Sequence, residues 1–248
     1  MYIACRSAAA GETAVTRIKS ESGSAGVWLL PLDLASLASV HSCAEAFLAR
    51  DEPLHVLVNN AGVGGQRGIT ADGFELHFGV NHLGHFALTQ LLLDRIVASG
   101  PGARIVNVSS DAHYGAPGID FAALRRPTAT FTGSPEYSVS KLCNVLHAQE
   151  LARRLDAAAV HSYALHPGVV ASDIWRRVPR LARWFITRRM LSVEQGAVTS
   201  VYCATSPDVA ADNGLFYDKS MAKAASPVAT PELAAQLWQH SAEWTGLS

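Results

Sequence analysis

The sequence predicts an α/β fold with a doubly wound parallel sheet, and three observations support this prediction. Apolar runs of strand length alternate with longer segments of helical periodicity along the 248 residues. Polar, glycine-containing motifs directly follow several of those runs, as expected where parallel strands end at a ligand-binding edge. No linker, repeat or low-complexity segment interrupts the pattern, so residues 1–248 are predicted to form a single domain.

The first half of the chain alternates between predicted strands and predicted helices. The strands lie at Tyr2–Cys5, 27–32 and 54–59, and helices are predicted at 12–21 and 37–50. The run 54–58 has the apolar character of a strand that is buried on both faces of a parallel sheet. Residues 74–98 are predicted to form either one long helix or two joined helices.

The second half continues this alternation. A buried strand is predicted at 104–109, and a long helix begins near Pro135 and continues to Arg154. A strand at Val160–His166, a helix at Val193–Thr205 and a short last strand at 215–217 complete the prediction.

Composition and charge exclude several functional classes. A net charge of -1, with 17% charged and 49% apolar residues, suits a buried core and gives no electrostatic basis for nucleic-acid binding. The four cysteines are scattered, as expected of free thiols in a reducing compartment. No apolar run reaches the ~18 residues of a membrane span, and the N-terminus lacks the apolar stretch of a signal peptide. We therefore expect a cytoplasmic protein.

The most informative motif is Tyr137-Ser-Val-Ser-Lys141, near the start of the predicted long helix. A tyrosine and a lysine four residues apart share one helix face. A free tyrosine keeps its proton up to a pH of ~10, but a nearby ammonium group favours the phenolate and lowers the pKa. The pair therefore suits proton transfer by the tyrosine. An ordinary surface pair is the alternative, since this spacing also arises by chance.

Further motifs accompany this pair in a fixed order. They are Tyr2-Ile-Ala-Cys-Arg6, Asn59-Asn-Ala-Gly62, Val80-Asn-His-Leu-Gly-His-Phe86, Asn107-Val-Ser-Ser110 and Pro167-Gly-Val-Val-Ala-Ser172. Together they resemble the short-chain dehydrogenase/reductase family, on the branch that includes retinol dehydrogenase-like and WW-domain oxidoreductase-like proteins. The resemblance covers nearly the whole chain. It implies a Rossmann-type sheet and a hydride transfer between a nicotinamide cofactor and a small-molecule carbonyl or alcohol.

The resemblance also implies four catalytic residues. Tyr137 would give or take the proton, and Lys141 would lower the pKa of Tyr137 and bind the nicotinamide ribose. Ser110 would donate a hydrogen bond to the substrate oxygen, with Ser109 as the competing candidate. Asn81 would hold a water that links the lysine to solvent, or it is a polar residue that kinks the helix and is satisfied by backbone.

Cofactor-binding residues are implied at the ends of several strands. Asn60, Ala61 and Gly62 would pass beside the adenosine ribose and the cofactor backbone, whereas Asn59 is as readily structural. Asp33, followed by Leu34, would accept from the adenine amino group, or Asp33 caps the helix that begins near Ser36. The nicotinamide side would be bound by the loop that contains Pro167, Gly168, Val169, Val170 and Ser172. No metal site is expected, because His82 and His85 belong to a run that is usual in the family.

Arg6 bears on the choice of cofactor. In NAD-preferring members of the family, an acidic residue at the end of the family's second strand binds the ribose 2′-hydroxyl. The strand Tyr2–Cys5 resembles that second strand, and the residue at its end is Arg6. Since a guanidinium group suits a 2′-phosphate, NADP(H) is predicted over NAD(H).

One element of the family pattern is absent. Members begin with a strand and a glycine-rich turn, Thr-Gly-x-x-x-Gly-Ile-Gly, which places the cofactor pyrophosphate at a helix N-terminus. This chain begins at the motif that resembles the second strand, so the first strand and helix, roughly 30 residues, are expected to be missing. A non-catalytic or inactive dehydrogenase-like protein that cannot bind cofactor is therefore the alternative function.

The segment 173–191 combines apolar residues at helical spacing with tryptophans and arginines. The resemblance implies a lid over the substrate, and an apolar lid suggests a lipophilic substrate. Lid and peripheral membrane contact together, or a subunit contact, are the alternatives. The sequence does not determine the oligomeric state.

Overall fold

The computed structural model describes residues 1–170 and 190–247 and has an α/β architecture with a parallel central sheet. Its strands form two hydrogen-bonded groups. In the first group, β1 (Tyr2–Cys5) pairs in parallel with β2 (Trp28–Pro31). The second group has the spatial order β3 (Val56–Asn59), β4 (Ala103–Val108), β5 (Val160–His166), β6 (Phe216–Asp218) and an antiparallel β7 (Met221–Lys223). The predicted fold class is confirmed.

Helices connect the strands and cover the sheet. They are α1 (Ala8–Ser22), α2 (Leu37–Leu48), α3 (Leu76–Phe78), α4 (Gly84–Ala98), α5 (Ser134–Arg154), α6 (Val193–Thr205) and α7 (Pro231–Thr245). A π-helical turn at Gly79–Leu83 joins α3 to α4, so the stretch predicted at 74–98 is one continuous helical run from residue 76. Short 3₁₀ helices lie at Asp111–Gly115, Ala123–Arg125 and Pro207–Val209.

Within the described residues, no backbone hydrogen bond joins β1 to β3. The break lies where the sequence predicts a missing strand. Val56 and Val58 on β3 are 36% and 40% exposed, and β1 has no buried residue. The expectation that a further strand belongs at this position stays a prediction.

The β1–β2 pair is held to the rest of the molecule by helix packing. A shared hydrophobic core joins Leu30 of β2 to Phe47 of α2, Leu88 of α4 and Ile105 of β4. Gly84 permits this close packing, since an added Cβ would lie 2.6 Å from the main-chain oxygen of Leu34. The connection between the two strand groups therefore depends on α2 and α4.

Two elements near the C-terminus were not predicted. The strand predicted at 215–217 is followed by β7 and then by α7, which is capped by the side chain of Thr230. Ala234 and Leu237 of α7 pack on Leu142 and Leu146 of α5. The helix thus buries the outer face of the element that bears Tyr137. No helix among the described residues is long and apolar enough to cross a membrane.

Candidate active site

Helix α5 places Tyr137 and Lys141 one turn apart, beside the end of β4. The Nζ atom of Lys141 lies 5.6 Å from the centroid of the Tyr137 ring and donates to the main-chain oxygen of Val108 at 3.0 Å. Lys141 is only 4% exposed, and burial lowers its pKa to about 8. An ammonium group has three donors, so Lys141 keeps donors available for a ligand.

The electrostatic surroundings of Tyr137 differ from the sequence prediction. Burial raises the pKa of Tyr137, and a hydrogen bond from the Ser110 side chain partly opposes this effect. The lowering of this pKa by Lys141 that the spacing predicts stays a prediction. The ammonium lies beside the ring and is hydrogen-bonded to the backbone of β4.

Ser109 and Ser110 follow β4 but have different partners. The Ser109 hydroxyl is buried and donates to the main-chain oxygen of Lys141 at 2.6 Å. The Ser110 hydroxyl oxygen accepts from the main-chain N–H of Ala112 at 3.2 Å. Its own proton is thus free to be donated toward Tyr137 or toward an oxygen bound beside it. This difference favours Ser110 over Ser109 as the donor to a substrate.

Asn81 lies in the π-helical turn and is fully buried. Its side-chain oxygen accepts from the N–H of Val63 at 2.8 Å, and its amide donates to Val63 O at 3.0 Å and to Ser140 Oγ at 2.9 Å. These bonds tie the loop after β3 to α5. The water-holding role implied by the resemblance stays a prediction.

The loop after β3 forms an open cradle beside these residues. A Cβ added at Gly62 would lie 3.1 Å from Asn81 Oδ1 and 3.6 Å from Lys141 Nζ. Asn60 and Ala61 are exposed next to it, whereas Asn59 is buried and bonded to Thr89 and Asn107. The close approach at Gly62, together with the lysine donors, fits a ribose that binds there.

The other residues predicted to bind the adenosine part of the cofactor, Arg6, Asp33 and Leu34, lie just after β1 and β2. Arg6 is exposed between the end of β1 and Ser7, the N-cap of α1. The carboxylate of Asp33 accepts from the N–H of Ala35 at 3.0 Å, and Ser36, not Asp33, caps α2. The Leu34 side chain is buried in the core, so only its backbone could face a ligand.

The loop after β5 is described only in part. Pro167, Gly168, Val169 and Val170 follow directly after His166, and Leu191 donates its N–H to the main-chain oxygen of Val169 at 2.9 Å. Ser172 lies outside the described residues, as does nearly all of the segment 173–191.

Three polar side chains near the site, Glu75, His77 and Asn144, were missed by sequence reasoning. Glu75 is buried and accepts from His77 Nδ1 at 2.9 Å and from Thr128 Oγ1 at 2.5 Å, and the His77 ring lies edge-on to Tyr137 at 6.2 Å. Asn144 donates to Val108 O at 3.0 Å, as Lys141 does. Only Asn144 had a signal in the sequence, because it lies three residues after Lys141 on the same helix face.

The arrangement can therefore bind a substrate oxygen between two hydroxyl groups, Ser110 and Tyr137, with a buried ammonium group behind the tyrosine. Such a site can donate a proton to an oxygen that gains negative charge, or accept one from an alcohol. The described residues contain no group of three or more histidine, cysteine or acidic side chains that could hold a metal ion.

Comparison with known proteins identifies the family of the chain. Residues 1–123 match the family model for short chain dehydrogenase. The chain is 41% identical to human retinol dehydrogenase 12 over 253 aligned residues, which cover 100% of this chain and 78% of the relative. It is 40% identical to the WW domain-containing oxidoreductase of Gallus gallus, covering 97% of this chain and 61% of the relative.

The fold has a close structural counterpart. A crystal structure of a putative uncharacterized protein from Mycobacterium paratuberculosis matches the chain with a TM-score of 0.73 and 29% identity. The match covers 100% of this chain and 84% of that structure.

Proposed function

The chain belongs to the short-chain dehydrogenase family, and we propose on this premise that it interconverts a carbonyl and an alcohol with NADP(H) as cofactor. The observation that carries the proposal is the convergence of Ser110, Tyr137 and Lys141 at the end of β4.

Each side chain has a defined part in the reduction direction. Ser110 donates a hydrogen bond to the substrate oxygen, and Tyr137 gives that oxygen its proton as negative charge develops. Lys141 orients the ribose hydroxyls through donors that Val108 leaves free. The bound nicotinamide supplies the hydride. In the oxidation direction the same tyrosine takes the proton back.

Arg6 supports NADP(H) over NAD(H). Its guanidinium is exposed at the end of β1, where a 2′-phosphate could accept two of its hydrogen bonds.

A lipophilic substrate is supported by the relatives. The name of human retinol dehydrogenase 12 states an apolar alcohol as the substrate of that protein, and the alignment with it covers the whole of this chain. We therefore propose an apolar aldehyde or alcohol as the substrate class.

The second candidate function is a protein that does not turn over substrate. The break between β1 and β3 favours it, since the exposed edge of β3 directly precedes the cradle at Gly62. Cofactor binding separates the two candidates, because the enzyme must bind NADPH and the alternative must not.

The test is the substitution Tyr137→Phe, assayed as NADPH-dependent reduction of an apolar aldehyde. The change keeps the ring packing and removes the proton, so kcat should fall ~10²–10⁴-fold. Tyr202→Phe is the matched control, since Tyr202 lies in the packing of α6 away from the site. Near wild-type turnover of Tyr137→Phe would show that the tyrosine does not carry the proton.

A further inference from the structure

His113 lies behind the proposed catalytic serine and makes two directed hydrogen bonds. Its ring is fully buried, with Nδ1 2.6 Å from the main-chain oxygen of Ser110 and Nε2 3.1 Å from the main-chain nitrogen of Ser226. Tyr114 and Phe216 flank the ring, with centroids 4.0 Å and 4.6 Å away. The imidazole therefore connects the turn after β4 to the segment between β7 and α7.

The two partners determine the protonation state of the ring. A carbonyl oxygen can only accept and a main-chain N–H can only donate, so Nδ1 carries the proton and Nε2 is bare. A second proton would place an N–H of the imidazolium against the N–H of Ser226. Protonation must therefore break the bond to Ser226 and move either the ring or the 224–226 segment.

We propose that His113 is a positioning residue that holds Ser110 in its donating orientation and couples it to residues 224–226 only while the imidazole is neutral. The inference rests on the catalytic role proposed above for Ser110. In the 224–226 segment the main-chain oxygen of Ala224 accepts a hydrogen bond from the Tyr114 hydroxyl at 2.6 Å. The preceding residue, Lys223, contacts the carboxylates of Asp218 and Asp111. The coupling thus joins the serine to the β6–β7 hairpin that borders the site.

The charged surroundings agree with a neutral ring at neutral pH. Burial lowers the pKa of His113, and the positive charges of Lys223 and His166 lower it further. The bond to the main-chain oxygen of Ser110 and the charge of Asp111 raise the pKa and so oppose this effect. Asp218 on β6, Tyr114 on the same 3₁₀ helix, and Tyr137 and Lys141 on α5 are the other titratable groups of the packed elements. Because the folded pKa lies below the ordinary value, the coupling should be lost only on the acid side of it.

Three substitutions of His113 separate its two bonds. His113→Phe keeps the ring between Tyr114 and Phe216 and removes both bonds. His113→Asn places an amide donor near the position of Nδ1, and His113→Gln places an amide oxygen near the position of Nε2. His113→Phe should lower kcat for carbonyl reduction about 10- to 100-fold, as expected for two lost hydrogen bonds in a buried site. Asn should restore most of this loss, and Gln should restore thermal stability more than kcat.

The pH profile is the readout that a purely structural role would not change. Reduction requires a protonated Tyr137, so titration of the tyrosine removes activity at alkaline pH and leaves the acid limb to other groups. The wild-type protein should lose kcat below the His113 pKa, and His113→Asn should lose this limb. His166→Gln should keep the limb. If His166→Gln removes the limb, or if His113→Asn keeps it, His113 is not the titrating group.

Two measurements keep the outcome independent of the proposed reaction. NMR of the protein with ¹⁵N-labelled histidine should show His113 as the Nδ1–H tautomer at pH 7, and the Nε2–H tautomer would overturn the inference. Ser110→Ala distinguishes failure of the proposed function from failure of this inference. If Ser110→Ala keeps full turnover, the catalytic role of the serine fails and the inference fails with it. If Ser110→Ala abolishes turnover while His113→Phe behaves as wild type, only the inference is overturned.

Discussion

The β1–β2 layer, residues 1–48 with α1 and α2, differs sharply in packing from the five-stranded block of β3 to β7. In the first, α1 buries only Gly11 and β1 buries no residue. In the second, β5 buries every residue except His161, and most of α5 after Val139 is buried. The proposed proton chemistry lies in the densely packed block, whereas the proposed recognition of the 2′-phosphate by Arg6 lies in the loosely packed layer.

The proposed catalysis and the proposed recognition of the cofactor therefore lie in regions of unequal local stability. Segments with few buried apolar contacts open with little free energy, while core strands open only with global unfolding. Within this layer β1 and α1 have almost no buried residues, so they can open while α2 and the site at β4 and α5 stay packed. Cofactor affinity should therefore respond to conditions that leave the geometry of Tyr137 unchanged.

Amide hydrogen exchange gives the largest expected contrast. The amides of β5 should approach the global stability, typically ~5–15 kcal/mol, while those of β1 exchange by local opening, so their protection should differ by at least ~1000-fold. The α2 amides are the internal control and should be intermediate, because α2 contributes to the shared core. Equal protection in β1 and β5 would show that the two regions unfold as one unit.

Acid should destabilise the block through its buried histidines. Burial lowers the pKa of His85 to about 4 and that of His147 to about 3, and it lowers the pKa of His82 as well. Since the unfolded chain takes up these protons first, the free energy of unfolding should fall as the pH drops below ~6.5. Between pH 7.5 and 5.5, His85 and His147 should each account for a loss on the order of 1 kcal/mol, and His82 should act in the same direction, as measured by urea unfolding.

The control for this pH dependence is a pair of substitutions. His147→Phe, which keeps the aromatic contacts with Phe86 and Trp238, should reduce the slope of stability against pH by the share of one histidine. His55→Gln, at an exposed position, should leave the slope unchanged. An equal slope in all three proteins would mean that the buried histidines do not govern acid stability.

Arg6→Asp tests the function proposed for the layer. Replacing a phosphate partner by a like charge should lower kcat/KM for NADPH about 10- to 100-fold and leave kcat/KM for NADH unchanged or higher. Arg17→Asp on the exposed face of α1 is the charge-matched control and should change neither value by more than about twofold. A wild-type preference for NADH would refute the role of Arg6.

Gly62→Ala should have the smallest effect. The added methyl group would press on Asn81 Oδ1 from 3.1 Å, so the cofactor KM should rise a few-fold and the stability should fall by about 1 kcal/mol or less. Gly26→Ala in the layer, where an added Cβ makes ordinary contacts of 3.5 Å or more, is the control. If both variants behave alike, the backbone of Gly62 does not need to lie close to Asn81.

The sequence predicted those parts of the molecule that depend on local regularity. The spacing of Tyr137 and Lys141 on one helix and the polar motifs after β3, β4 and β5 are local patterns, and the structure has them at one sheet edge. Helix α7 also had a local signal, because Thr230 and Pro231 form a typical helix start.

Other features were not accessible from the sequence. The bond between Thr128 and Glu75 joins residues 53 positions apart, and the tie between His113 and Ser226 spans 113 positions. No periodicity records such contacts, since they arise only when distant segments pack. The raised pKa of Tyr137 likewise depends on burial and not on the spacing to Lys141.

The π-helical turn at Gly79–Leu83 has a consequence for how this segment tolerates insertions and deletions. A π-helical turn accommodates one residue more than an α-helical turn, and one residue corresponds to about 100° of rotation about the helix axis. Deleting a single residue here would restore a regular α-helix and rotate Asn81 relative to Leu88 and Ile96 on α4. The amide would then leave Val63 and Ser140, although every remaining residue type would be conserved. The number of residues in this segment, and not only their identity, therefore determines whether Asn81 reaches its partners.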